Sequence, residues 1–83
     1  MYEALERVAG DFGSLEKTLA APDAASRIKS IRDALGETAE RVSAATAQAA
    51  SDYDRDAMQK IYRGLLAAQR IVLTLHEERV AAA

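Results

Sequence analysis

A chain of 83 residues forms one domain at most, and a domain of this size buries only a thin core. The absence of cysteine excludes disulfides, thiolate metal sites and cysteine nucleophiles, and a single histidine cannot form a histidine cluster. Eleven basic and thirteen acidic residues are mixed along the chain without a basic block, which argues against binding to nucleic acid or anionic membranes.

The first segment, residues 1–20, carries an apolar stripe at alternating three- and four-residue steps, which predicts a helix. The stripe consists of Leu5, Val8, Phe12, Leu15 and Leu19. Gly10 and Gly13 interrupt it, and each costs about 1 kcal/mol relative to alanine inside a helix. Because Ser14 can cap a new helix, the segment is predicted to form one frayed helix or two short ones.

A second helix is predicted over residues 23–50, directly after Pro22, because proline suits the first turn of a helix. Its apolar positions again recur at three- and four-residue steps. They are Ile28, Ile31, Leu35, Thr38, Val42, Ala45 and Ala49. The C-terminal half consists almost entirely of Ala, Ser and Thr, which bury little area, so we expect the end nearest the turn to be the softest.

Residues 51–54 supply a serine and two aspartates, which suit the N-cap and first turn of a third helix over residues 53–80. A short connection between two long helices makes them antiparallel neighbours. The alanine-rich composition, with one proline and four glycines, favours helix throughout. The predicted fold is all-α, with a single domain over residues 1–83. It is a coiled-coil-like antiparallel hairpin of two long helices, preceded by a shorter N-terminal helix.

Two adjacent apolar stripes run along the third helix and together cover roughly half of its circumference. The first stripe contains Met58, Ile61, Leu65, Ala68, Val72 and Leu75. The second contains Tyr62, Leu66, Leu73 and Val80, with Gln69 and His76 interspersed. We expect the first stripe to pack in the hairpin against Ile28, Leu35 and Val42. For the second stripe two alternatives stay open: the first segment folds back and covers it, or it is a docking surface for another protein.

Few features of the sequence indicate catalysis or metal binding. Residues 52–56 imitate the start of a calcium loop, but Ala57 and Arg63 stand where that loop needs a glycine and a bidentate glutamate. No serine or threonine lies one turn from His76 on the same helical face, so a general base there lacks a nucleophile, and we expect partial burial instead. We predict no catalytic residue, no metal site and no cofactor.

No apolar run of the sequence approaches the ~20 residues that a membrane-spanning helix needs. Residues 1–6 carry acid instead of the basic start of a signal peptide. We therefore expect a cytoplasmic protein that has no membrane span and does not bind nucleic acid.

The third helix resembles a known family. Ser51-Asp52-Tyr53 at the turn, followed by the apolar run from Leu65 to Leu75, is similar to the small E-component of type III secretion systems, a needle co-chaperone family. The resemblance covers roughly residues 15–80, and the first 13 residues extend beyond the family pattern. In the second helix it includes Ile28, Ile31, Leu35 and Val42.

Members of that family are short cytoplasmic helical hairpins. With a helical-repeat partner chaperone they hold the needle subunit soluble and stop it polymerising before export. The resemblance implies this role here. The partner-binding surface is predicted to comprise Tyr62, Leu66, Ile71, Leu73 and Val80. Three other possibilities stay open: a homo-oligomer of the isolated chain, an exported hairpin that acts with a sister chain, and a small regulatory protein-binding module.

Overall fold

The computed structural model describes residues 1–82, so Ala83, the last residue of the predicted domain, lies outside them. The described residues contain no strand, and the all-α prediction is confirmed. The molecule is elongated, with extents of 48 × 21 × 16 Å. Its four helices are α1 (Glu3–Gly13), α2 (Leu15–Ala20), α3 (Ala24–Thr46) and α4 (Asp52–Ala82).

The first segment forms two short helices that meet at a bend. Ser14 leaves helical geometry there, with φ −121° and ψ 50°, but its side chain makes no capping hydrogen bond. Instead, the buried Thr18 hydroxyl donates to the carbonyl of Asp11 over 2.8 Å. Asp11 lies in the last turn of α1, where carbonyl groups lack helical donors, so Thr18 provides a partner that the helix cannot.

Replacing Thr18 by valine is expected to lower the free energy of unfolding by about 1 kcal/mol, because the Asp11 carbonyl loses its donor. Urea unfolding followed by circular dichroism measures the change. The matched control is Thr74→Val on the exposed side of α4, which should stay within about 0.5 kcal/mol of the parent. Equal stabilities of the two variants would show that the bend does not depend on this hydrogen bond.

The central helix is α3, which packs against α1, α2 and α4. Ile31 lies in its middle and is fully buried. The core combines one face of α3 with two residues of α1 and one of α4. Its buried members are Ala4, Val8, Ile28, Ile31, Ala34, Leu35 and Val72.

The ion pairs between α1 and α3 give their relative direction. Glu3 pairs with Arg41 at 3.4 Å and Arg7 with Glu37 at 2.9 Å, so ascending numbers on α1 meet descending numbers on α3. The two helices are therefore antiparallel. The five-residue connection between α3 and α4 reverses the chain again, so α1 and α4 both run opposite to α3 and parallel to each other.

The turn before α4 has the predicted cap. The backbone N–H of Asp54 donates to the hydroxyl of Ser51 over 3.1 Å, and Asp52 and Asp54 lie in the first helical turn. By contrast, α3 ends at Thr46, four residues before the predicted end. The alanine-rich stretch that follows is largely exposed, so no packing contact extends the helix through it.

Candidate protein-binding surface

The face of α4 that packs on α3 includes Val72, which is only 2% exposed. One turn earlier, the Gln69 amide donates from Nε2 to the carbonyl of Arg32 over 3.0 Å. Gly36 leaves room for this contact, because a Cβ atom there would lie 3.1 Å from Gln69 Nε2. A polar residue therefore sits inside the interface between the two long helices.

The prediction that the first stripe packs in the hairpin is only partly right. Val72 is buried and Leu65 packs against the core. Ile61 and Leu75, however, remain 41% and 37% exposed. The reason is the rotation of α4: its buried face lies between the two predicted stripes, so each stripe is covered along one edge.

The second stripe is not covered by the first segment, and this alternative is wrong. Tyr62, Leu66 and Leu73 are half-buried, and Leu73 packs against the core. The first segment instead faces the other edge of α4. The apolar side chains of α1 and α2 lie beside Leu65, Ala68 and Leu75.

Four of the five residues predicted to bind a partner lie along one edge of α4, and Ile71 lies on the other. Ile71 is 57% exposed and Val80 is also exposed, whereas Tyr62, Leu66 and Leu73 are half-buried. Successive helical residues are about 100° apart, so Ile71 lies on the opposite edge of the α3-facing side from Leu66 and Leu73. Whether any of the five contacts a partner stays a prediction.

An apolar groove of about 440 Å³ lies between α1 and α4. Its floor is Leu35 of α3, since α1 packs on α3 without close contact to α4. Phe12 is partly exposed in this groove instead of being enclosed by the core. The lining residues are Leu5, Val8, Ala9, Phe12, Gly13, Leu35, Leu65 and Ala68. We call this the first groove.

A second groove, of about 470 Å³, lies between α2 and the end of α4. It contains apolar side chains together with two acidic groups and one basic group. The lining residues are Leu15, Glu16, Leu19, Leu75, Glu78, Arg79 and Ala82. Both grooves border the same edge of α4, so they line one continuous side of the molecule.

That edge of α4 carries a series of residues at steps of three and four, in which the isoleucines and the leucine are exposed and the alanine packs against the core. The sequence prediction placed three of these residues in the first stripe and Ile71 in the partner surface, and Gly64 supplies no side chain that would join them into one series. We call these residues the α4 strip: Ile61, Gly64, Ala68, Ile71 and Leu75. Single exposed apolar side chains are ordinary, but an aligned series beside two grooves is typical of a surface that binds another protein.

The polar groups of the molecule offer no comparable site. His76 is half-buried, as expected, and its Nδ1 atom is buried without a hydrogen-bond partner. Hydrogen bonds from Lys29 and Arg32 hold the pKa of the Asp33 carboxyl below its ordinary value of 3.8, but this group is exposed. Within residues 1–82, no group of three histidine, aspartate or glutamate side chains is placed to hold a metal ion.

Comparison with known proteins gives the family. A model of the type III secretion system regulatory protein HrpD6 matches residues 2–78. The curated proteins and the solved structures contain no match. None of the helices in residues 1–82 is long and apolar enough to cross a membrane. The resemblance inferred from sequence is right for type III secretion, whereas membership of the needle co-chaperone family is not shown. The match covers most of the chain, which therefore belongs to the HrpD6 family of type III secretion regulatory proteins.

Proposed function

We propose that this protein is a cytoplasmic co-chaperone of a type III secretion system. It binds a helical-repeat partner chaperone and, together with it, keeps the needle subunit soluble and unpolymerised before export. The observation that carries the proposal is the exposed α4 strip beside two grooves, in a chain that belongs to a type III secretion family. A thin domain with surplus apolar surface gains stability when a partner binds its folded state.

The arrangement of the helices suits a helical partner. Because α1 and α4 run in the same direction, opposite to α3, a partner helix antiparallel to both would complete an up-down-up-down bundle. The α4 strip from Ile61 to Leu75 spans about 21 Å at 1.5 Å per residue, so a partner helix of about 15 residues would cover it. Helical-repeat proteins present helices of this kind on their surfaces.

Exposure in the free chain decides which residues we expect to bind. Ile61, Ile71 and Leu75 are accessible without rearrangement. Leu73 packs against the core, so its use by a partner would require α4 to move. The proposed site therefore keeps Ile71 from the predicted set and adds the other exposed residues of the α4 strip.

Co-expression with the needle subunit and the partner chaperone of the same secretion system tests the proposal. We expect the needle subunit to stay in the supernatant after ultracentrifugation when this chain is present, and to sediment as polymer when it is omitted. Ile71→Asp should behave like the omission. Glu77→Lys, a charge change at an exposed position outside the α4 strip, should behave like the parent. Equal solubility with and without the chain would contradict the proposal.

A second candidate is a regulatory protein-binding module, which the description of the HrpD6 family favours. In that case deleting the protein would change the expression of secretion genes, while the needle subunit would remain soluble in the cytoplasm. The third possibility, an exported hairpin, would place the protein in the culture supernatant. Measuring transcript levels, needle-subunit solubility and supernatant content in one deletion strain distinguishes the three functions.

A further inference from the structure

We propose that the α4 strip also binds a second copy of the chain, through an antiparallel pair of α4 helices, when no partner occupies it. Three- and four-residue steps are the spacing of a coiled-coil seam. The strip borders the α3-facing side: Ala68 packs against the core, whereas Ile71 lies about 100° around the helix from the buried Val72. The outer part of the α4 strip, around Gly64 and Ile71, is thus exposed, while Ala68 and Leu75 lie beside the grooves that α1 and α2 form with α4.

The sizes of the side chains fit an antiparallel pair. In the register that we propose, Gly64 lies opposite Leu75 of the second copy, and Ala68 lies opposite Ile71 of the second copy. Each small residue then faces a large one, and the two-fold axis places the same two pairs in the other half of the interface. A Cβ atom built on Gly64 would meet nothing within 4 Å, so the backbone at this position is open to the approach of a second copy. A parallel pair would set each residue against itself and leave Gly64 facing glycine.

The charges select the same register. Lys60 and Glu78 are about five helical turns apart, so they lie on the same side of α4, along one margin of the strip. Antiparallel pairing brings Lys60 of each copy beside Glu78 of the other. In the single chain, Lys60 forms only an exposed pair with Asp56, and Glu78 forms no ion pair within residues 1–82. Shifting one helix by a heptad would instead bring Glu78 near Asp54, which is unfavourable.

The dimer and the partner complex use the same surface, so they exclude each other. This consequence rests on the proposed function, whereas the dimer itself does not. The dimer covers Ile71 and Leu75 until a partner competes for them. Binding of the partner then requires dissociation of the pair, and its apparent affinity falls as the concentration of the chain rises.

Charge reversal of the purified chain alone tests the pair. Analytical ultracentrifugation over a concentration series should give a dimer, with Lys60→Glu and Glu78→Lys each raising the dissociation constant by about tenfold, because the two-fold axis repeats the contact. The double variant K60E/E78K should return to within about threefold of the parent, since both pairs are restored with reversed sign. Glu77→Lys, adjacent in sequence but off the strip, is the matched control.

A monomer at all concentrations, or a double variant as weak as the single ones, would overturn the dimer. Such a monomer could still bind the partner chaperone, so failure here is distinguishable from failure of the proposed function. Cysteine cross-linking tests the direction separately, because the chain has no cysteine of its own. A mixture of Ala68→Cys and Ile71→Cys chains should form mixed disulfides. Leu75→Cys alone should form none, and efficient cross-linking of that variant would indicate a parallel pair instead.

Discussion

Replacing Ile31 by alanine should lower the free energy of unfolding by about 3 kcal/mol, the largest loss that we expect from a single apolar truncation. Ile31 is 0% exposed and lies in the middle of the central helix. Truncation removes buried methyl groups and leaves a cavity that the surrounding helices fill only partly. Small domains have only a few kcal/mol of stability, so much of the variant should be unfolded at 37 °C.

Urea unfolding followed by circular dichroism measures this loss. Ile71→Ala is the matched control, because the same side chain is removed from a position that is 57% exposed. Its stability should stay within about 0.5 kcal/mol of the parent. A comparable loss at Ile71, or a negligible one at Ile31, would contradict the packing of α3 at the centre of the molecule.

A negative charge should unfold the chain at one residue of α4 and leave its stability nearly unchanged at the neighbouring residue. Val72→Asp places a carboxylate at a 2% exposed position in the core, and burial of that charge should cost several kcal/mol of stability. The chain should lose most of its helical signal. Ile71→Asp places the same group on the exposed strip and should leave the helical content and the thermal midpoint nearly unchanged.

Far-ultraviolet circular dichroism and thermal melting of the two variants give the comparison directly. The sequence prediction likewise assigned Val72 to the hairpin and Ile71 to a partner surface, so the comparison tests an assignment that the structure and the sequence share. A well-folded Val72→Asp variant would mean that α4 can turn another face toward α3.

The helices and their ends could be predicted because the causes are local. Pro22 precedes α3, and the hydroxyl of Ser51 accepts the bond that the sequence assigns to a cap. The bend at Ser14 is a partial exception. Gly10, Gly13 and Ser14 predict an interruption of the helix, but the hydrogen bond across the bend comes from the hydroxyl of Thr18. Thr18 follows Leu15 by three residues, at the margin of the apolar stripe, and this position could have indicated a buried hydroxyl that donates to the chain.

The rotation of α4 on α3 could not be predicted, because both of its stripes are apolar and either could be buried. The deciding contact joins Gln69 to the carbonyl of Arg32, which are 37 positions apart in the chain. It is formed by a polar residue and depends on the absence of a side chain at Gly36. Hydrophobic spacing contains no information on a contact of this kind.

The partner surface predicted from the sequence lies on the same helix as the α4 strip, but the two share only Ile71. Ile71 was included, whereas Ile61 and Leu75 were assigned to the hairpin and are exposed beside the grooves. The position of α1 explains this outcome. Because α1 packs on α3 and leaves a groove toward α4, the exposed edge depends on the tertiary arrangement and not on the amphipathicity of α4 alone.

The most direct test of the central claim, that the α4 strip binds the partner chaperone, is a titration of the purified chain with that chaperone by isothermal calorimetry. The parent and Ile71→Asp are compared at equal helical content, with Glu77→Lys as the control. Residues at the centre of an interface that dominate binding contribute about 2 kcal/mol or more, and we expect Ile71 to be one of them, so Ile71→Asp should raise the dissociation constant by at least about thirtyfold, and the control should not. An unchanged affinity for Ile71→Asp would contradict the claim.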